Sequence, residues 1–233
     1  MNTTISVKGL SKKIDGKQVL DDLNFDIFEG HVVGLIGPNS SGKSTLLKIL
    51  MNLWHADAGE IQIFSNKIVP ENKENISYLP AMNHLFPWMR IHDAIHYYQD
   101  MFEDFDKAQA RELCRFLELD ERDKISGLSK GICERVLVML TFSRNARIYM
   151  LDDPISGIDL VSREKIMKTI ARSQNGENTI IISTRQVEEV ETYLDDILFL
   201  GNGRLLLSGS VDTIREQRRV SLEDCYREVY GRA

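Results

Sequence analysis

Residues 37–44 read Gly-Pro-Asn-Ser-Ser-Gly-Lys-Ser and fit the pattern G-x-x-x-x-G-K-[ST] in full. An apolar run, HVVGLIG (31–37), precedes them, and a helix-forming run, KSTLLKILMNLW (43–54), follows. That order restricts the fold more than any other feature of the chain, because a buried strand must deliver a tight loop to the first turn of a helix. Glycines let backbone N–H groups turn inward around an anion, and the helix N-terminus adds positive potential. Gly37, Pro38, Asn39, Ser40, Ser41, Gly42, Lys43, Ser44 and Thr45 are therefore the expected phosphate-binding residues. Among them Lys43 is placed to reach the outer phosphates and Ser44 to offer a hydroxyl to Mg²⁺. The pattern specifies a nucleoside triphosphate; it does not specify a reaction.

Periodicity supplies the surroundings. TISVKGL (4–10), LDDLNFDIF (20–28) and GEIQIF (59–64) alternate as sheet strands do, with a hairpin-like turn at DGK (15–17). From 91 to 118 the spacing changes to threes and fours: Ile91, Ala94, Ile95, Tyr98, Met101, Phe102 and Phe105, then Leu113, Phe116 and Leu117. These predict two amphipathic helices, and a third starts near Ser129. ARIYMLDD (146–153) and NTIIIST (178–184) are further buried strands with a helix over 161–173 between them. At the tail, Ser221 and Asp224 form a capping-box pattern. Alternating helices and buried strands predict an α/β fold with a mostly parallel sheet.

Two adjacent acids, Asp152 and Asp153, leave the buried strand RIYMLDDP. Such a pair repels itself and is costly to desolvate unless a cation is near. Asp152 is the expected Mg²⁺ holder. Asp153, expected to point the other way across the strand end, is placed to orient an attacking water. The alternative is a solvent-exposed acidic turn.

The phosphate loop at 37–45, LSKGI at 128–132, IYMLDDP at 148–154 and SGID at 156–159 occur in one order over nearly the whole chain. In this the chain resembles the nucleotide-binding subunits of ATP-binding-cassette (ABC) transporters. The resemblance implies a P-loop NTPase core of ABC ATPase type, with an antiparallel N-terminal β subdomain and an inserted helical lobe. One domain, 1–233, would then divide into a β subdomain and first part of the core (1–87), the helical lobe (88–145), and the second part of the core with the tail (146–233). It also implies ATP and Mg²⁺ as cofactors, a dimer with a copy or a sibling subunit, and a separate transmembrane transporter subunit. Ser129 and Gly131 would contact the partner's γ-phosphate, and Ile14 and Val19 would take the base side. The LSKG start of the signature is similar to that of small bacterial two-component exporters, which implies efflux.

Four positions depart from the family pattern. Ile14 stands where an aromatic residue usually stacks on adenine. Ala81, in YLPAMNH, stands where a metal-sensing glutamine is usual, with Asn83 and His84 as neighbours that would have to reach in to replace it. Asp153 replaces glutamate and shortens the reach by one methylene, roughly 1.5 Å. Arg185, in TIIISTRQVEE (179–189), replaces a switch histidine. A guanidinium donates but does not accept hydrogen bonds, so it can pair with phosphate yet shuttles no proton. Two readings of Arg185 stand: a phosphate-side charge, or a surface residue on a helix paired with Glu188 or Glu189. Lys43, Asp153 and Arg185 are thus the expected catalytic groups, and slow hydrolysis is the expectation. A non-hydrolytic ATP-binding partner in a composite dimer is the second reading. In HLFPWMRI (84–91), Leu85, Phe86, Trp88 and Met89 are each either docking anchors for the membrane subunit or ordinary packing.

Composition closes other classes. A formal charge of −6 gives no basic surface for nucleic acid. Cys114, Cys133 and Cys225 lie far apart without zinc spacing, as reduced thiols of a cytosolic protein do. No window approaches 18 apolar residues and MNTTISVKG lacks a signal pattern, so the expected location is cytoplasmic, peripheral to the inner face of the membrane. No [NT]-K-x-D guanine reader follows the second strand, since SNKIV (65–69) lacks the aspartate.

Overall fold

The computed structural model describes residues 2–67 and 69–231. β1 (Thr3–Ile14) and β2 (Lys17–Phe28) form an antiparallel hairpin, closed by Asp15 and Gly16 at φ 50° and 76°. β3 (Val32–Ile36) then enters a second sheet, and α1 (Lys43–Leu50) brings the chain back to the first. There β4 (Ala58–Ile63) and β5 (Asn66–Lys67) complete the order β2-β1-β4-β5. β6 (Ile76–Leu79) is followed by three helices, α2 (Ile91–Met101), α3 (Lys107–Phe116) and α4 (Lys130–Phe142). The chain returns through β7 (Ile148–Asp152), α5 (Leu160–Ser173), β8 (Thr179–Thr184), β9 (Asp196–Gly201) and β10 (Arg204–Ser210), and ends in α6 (Val211–Arg218) and α7 (Leu222–Tyr230). The second sheet runs β10-β9-β3-β8-β7-β6, parallel except for the β9–β10 hairpin.

The near-continuous apolar strands have a simple cause. Successive side chains point to opposite faces, and both faces of this sheet are covered. Ile180, Ile182, Leu151, Ile197 and Phe199 face the core shared with the helices. Ile181, Met150, Ile148, Leu198 and Leu200 face the core shared with α1 and the antiparallel sheet. Any of these strands therefore reads as unbroken hydrophobic sequence.

The helical lobe is pinned to the sheet by one buried arginine. Arg144 donates to both carboxylate oxygens of Asp104 (2.9 and 3.0 Å) and to the carbonyls of Ile76 (2.9 Å) and Glu74 (3.0 Å). Its guanidinium also lies 4.1 Å from the centroid of the Phe102 ring.

Three local differences from the sequence expectations have physical causes. α1 stops at Leu50 instead of running on to Trp54, because Asn52 takes φ 52° and turns the chain. The β9–β10 hairpin, absent from the periodicity argument, turns on Asn202-Gly203 at φ 49° and 77°, the conformation that favours Asn-Gly in two-residue turns. After β8 no α-helix forms. Two 3₁₀ turns (187–189 and 191–193) bury Val187 and Val190, which eclipse at a spacing of three, and Asp195 N already donates to Val32 O. Too little chain remains for an α-helix.

Candidate functional site

A cleft of about 710 Å³ opens where β3 meets α1. The loop from Pro38 to Thr45 forms its floor, and Lys17, Gln18 and Val19 form one wall. Ala81, Asp152 and Asp153 form another, and Asn202 with Gly203 closes the rim. The loop's two glycines are fixed by packing. A Cβ on Gly37 would lie 2.2 Å from Leu200 O, and one on Gly42, at φ 108°, would lie 2.6 Å from Leu20 Cδ2. β9 and β2 thus press the loop into its curve from both sides.

Lys43 is buried and donates to the loop's own carbonyls, Gly37 O at 2.7 Å and Pro38 O at 2.8 Å. Burial lowers its pKa; Asp153 and Asp152 counter that, and the charge of Arg185 adds to it. Beside it, Asp152 Oδ1 accepts from Ser44 Oγ (3.0 Å) and Ser183 Oγ (2.7 Å), and Oδ2 accepts from the Tyr78 hydroxyl (3.4 Å). Burial, then the Asp152 charge, push the Tyr78 phenol up, so it stays a donor.

Asp153 corrects the sequence expectation. Strand alternation would send it away from Asp152, yet both line the cleft. Asp153 has left the strand with φ 56°, a conformation in which Asp is enriched among non-glycine residues. Its backbone N–H donates to Ser183 O (3.1 Å) and Ser183 Oγ (3.0 Å), while its Oδ1 is buried without a partner.

The other expected site residues divide. Val19 lines the cleft; Ile14 does not, because the Asp15–Gly16 turn brings Lys17 and Gln18 forward instead. Arg185 is exposed just after β8, outside the lining but within electrostatic reach of Lys43. Its pairing with Glu189 is overturned: Glu189 bonds Arg163, and no ion pair joins Arg185 to Glu188 among the described residues. Ser129 caps α4, its Oγ accepting from Ile132 N at 3.3 Å. Gly131 follows on the first turn, packed so closely on the start of α5 that a Cβ would lie 2.5 Å from Asp159 Oδ2. Neither lines the cleft of its own chain. Asn83 and His84 do not reach in either: Asn83 Oδ1 accepts from Leu85 N, and His84 Nε2 lies 2.6 Å from the Tyr98 hydroxyl. Sequence reasoning missed Lys17, Gln18, Asn202 and Gly203; the Asn-Gly pair between two apolar runs was the available signal for the last two.

The residues fit a magnesium-bound nucleoside triphosphate. Lys43 holds carbonyls that it can exchange for phosphate oxygens, and the glycine curve leaves no space for side chains. Ser41 Oγ and Asp153 Oδ1 are buried polar atoms without partners. Among the described residues no group of three His, Cys, Asp or Glu forms a protein-only metal cage. Ser44 and Asp152 alone match Mg²⁺, which takes few protein ligands and the rest from phosphate and water.

On α4, Glu134 is 8% exposed, and its Oε2 has no partner. Desolvation first, and then Asp153, push its pKa from 4.5 to about 7, against the pull of Lys130. Below pH 4.5 the acid is neutral in folded and unfolded chains alike. Between there and 7 only the unfolded chain releases the proton, so stability falls as pH rises, by at most about 3 kcal/mol in all. Glu134→Gln, neutral throughout, is expected to raise the unfolding temperature at pH 8 and to give almost no gain at pH 4, measured by thermal scans.

The family profile described as "ABC transporter" matches residues 20–156. The ABC transporter ATP-binding protein YtrB of Bacillus subtilis (strain 168) is 31% identical over 216 residues, covering 91% of this chain and 74% of its own. The petrobactin import ATP-binding protein YclP of the same organism is 29% identical, covering 91% and 89%. A solved structure described as the ATP binding subunit of an ABC transporter superposes with a TM-score of 0.86 at 26% identity, covering 97% of this chain and 99% of that one.

Proposed function

Because the chain belongs to the ABC transporter family, we propose that it is a subunit that slowly hydrolyses ATP with Mg²⁺ and thereby moves a separate transmembrane subunit. The observation that carries this is the hydroxyl–carboxylate array Ser44–Asp152–Ser183 beside a buried lysine at the head of α1. Bound Mg²⁺–ATP supplies the γ-phosphoryl group that water attacks. Lys43 would exchange Gly37 O and Pro38 O for the outer phosphate oxygens, and Ser44 and Asp152 would hold the metal, with Ser183 and Tyr78 fixing the Asp152 carboxylate. Asp153 directs the water. Arg185 adds positive charge on the phosphate side and moves no proton. Ala81 brings no acceptor to the wall it occupies, and Asp153 is short; both favour slow turnover.

Ser129 and Gly131, away from their own cleft at the start of α4, fit contact with a nucleotide held by a second subunit, a copy or a sibling. The alternative of a nearly inactive ATP-binding partner is favoured by one observation, the methyl group of Ala81 in the cleft wall. Phosphate release by the purified chain, alone and then with its membrane subunit, decides between them: binding without turnover in both would leave only the alternative.

The membrane subunit's landing site, on this reading, is the aromatic surface of the lobe. The loop 84–89 splits its apolar residues. Leu85 and Met89 are buried in the core at 5% and 4% exposure, whereas Phe86 and Trp88 stand out at 48% and 63%. Phe86 stacks on Trp88 (centroids 5.8 Å apart) and meets Tyr97 edge-on, with Met82 and Met101 also exposed. No helix of the described residues is long and apolar enough to cross a membrane; on this reading the chain attaches through this contact, on the cytoplasmic face. Trp88→Ser is expected to change folding stability by less than about 0.5 kcal/mol and to abolish co-purification with the membrane subunit. Export is the direction inferred from the LSKG signature; among relatives the linearmycin resistance ATP-binding protein LnrL, 27% identical, is compatible with it, while the petrobactin import protein YclP points the other way. Vesicle transport by the assembled pair tests it.

A further inference from the structure

We propose that Tyr230, at the end of α7, is a positioning residue for the phosphate loop, its hydroxyl holding the two backbone carbonyls, Ile36 O and Leu200 O, against which the loop begins. The C-terminal helix thereby sets where the first peptide of the loop lies. The inference rests on the nucleotide-binding reading above, and one of its tests needs no nucleotide.

Tyr230 does not line the cleft, so it acts only through the backbone that it touches. Its hydroxyl donates to Ile36 O and Leu200 O, both at 3.1 Å, one O–H shared between two acceptors. β9 is shaped to admit the ring. Phe199 and Gly201 point to one face of that strand. Phe199 packs on the ring with centroids 5.9 Å apart, and a Cβ on Gly201 would lie 3.1 Å from Tyr230 Cε1. Tyr226, one turn back on α7, packs on it as well, with centroids 4.5 Å apart. A phenylalanine would fill the same space, so packing alone does not account for the hydroxyl.

Gly37 opens the loop, and its peptide is held from both sides. Gly37 N donates to Thr184 O at 3.2 Å, and a Cβ on Gly37 would lie 2.2 Å from Leu200 O. The carbonyl of the same peptide, Ile36 O, is the one that Tyr230 takes. The next two carbonyls, Gly37 O and Pro38 O, belong to Lys43, and on the reading above they are given up when phosphate arrives. The Tyr230 bonds are not given up, so they fix the origin of the loop with and without nucleotide. A helix of nine residues is marginal by itself, so α7 keeps its place by docking. Loop and helix are then linked: whatever frees α7 loosens the loop, and a nucleotide that holds the loop holds α7.

Tyr230→Phe keeps the ring and removes the hydroxyl. Titrated with a fluorescent ATP analogue, and by competition with inorganic triphosphate, it is expected to bind both at least about threefold more weakly than the parent, the scale of one net hydrogen bond. The two losses are expected to match, because the loop holds phosphate and not base. Tyr149→Phe is the control: it removes another buried hydroxyl, which donates to Arg144 O at 2.6 Å. It is expected to lower the unfolding temperature and to leave both affinities unchanged. In the nucleotide-free protein, amide hydrogen exchange over 37–42 is expected to quicken at least about threefold in Tyr230→Phe. A change below about threefold in either measurement overturns the proposal. So does a loss for the ATP analogue without the same loss for triphosphate, or an equal loss in Tyr149→Phe. If the parent binds neither probe, the nucleotide-binding reading fails instead, and the exchange measurement still decides the role of the hydroxyl.

Discussion

Lys43→Ala is expected to lower ATP turnover by at least about a hundredfold and to weaken nucleotide binding about tenfold or more. Charge-assisted hydrogen bonds are worth about 1.5–3 kcal/mol each, and Lys43 makes two in the structure, to Gly37 O and Pro38 O. Those partners show where its ammonium sits, in the curve of the loop, at the point to which the phosphates must come. Lys43→Arg is expected to fail almost as badly, because a planar fork does not fit between two carbonyls that a compact ammonium spans. Fluorescent-nucleotide titration and phosphate release measure the two effects separately. An alanine variant that keeps parental affinity and rate would remove the loop from the chemistry.

Asp153→Asn is expected to leave ATP binding within a few-fold of the parent and to cut kcat by about 10²–10⁴, the range for a positioned general base. The amide keeps the volume and loses the charge. Asp153→Glu works in the opposite sense. It restores roughly 1.5 Å of reach, and misplacement of about 1 Å can cost on the order of a hundredfold in rate. The gain is partly opposed by the backbone, since φ is 56° at this position and glutamate tolerates the left-handed region less well than aspartate. A faster enzyme with a slightly lower unfolding temperature is the expected pair of results. Parental turnover in Asp153→Asn would sink the assignment of Asp153.

What the sequence made readable was whatever depends on local order. The phosphate loop needs a strand before it and a helix after it, and both are present in the residues on either side. Asp152 was legible because an acid at the end of a buried strand needs a partner, and it has three hydroxyl donors. The direction of Asp153 was not legible, since a single left-handed residue cancels the alternation from which direction is read. Arg185 was misplaced on a helix for a similar reason: the chain after β8 must rejoin β3 within a few residues, a tertiary limit that i+3 and i+4 acids do not express. Glu134 was invisible as a buried, unpartnered acid, because nothing in a helix-forming run marks which charge is turned inward.

The loop from Leu85 to Met89 has a consequence for how such a protein diversifies. Two of its large residues are held by the core and two face outward from the same few positions of chain. Changes at Phe86 and Trp88 are therefore nearly silent for folding, while changes at Leu85 and Met89 are not. A lineage can drift at the outward pair and acquire a new companion protein without rebuilding the nucleotide site, so partner choice and chemistry are free to evolve at different speeds.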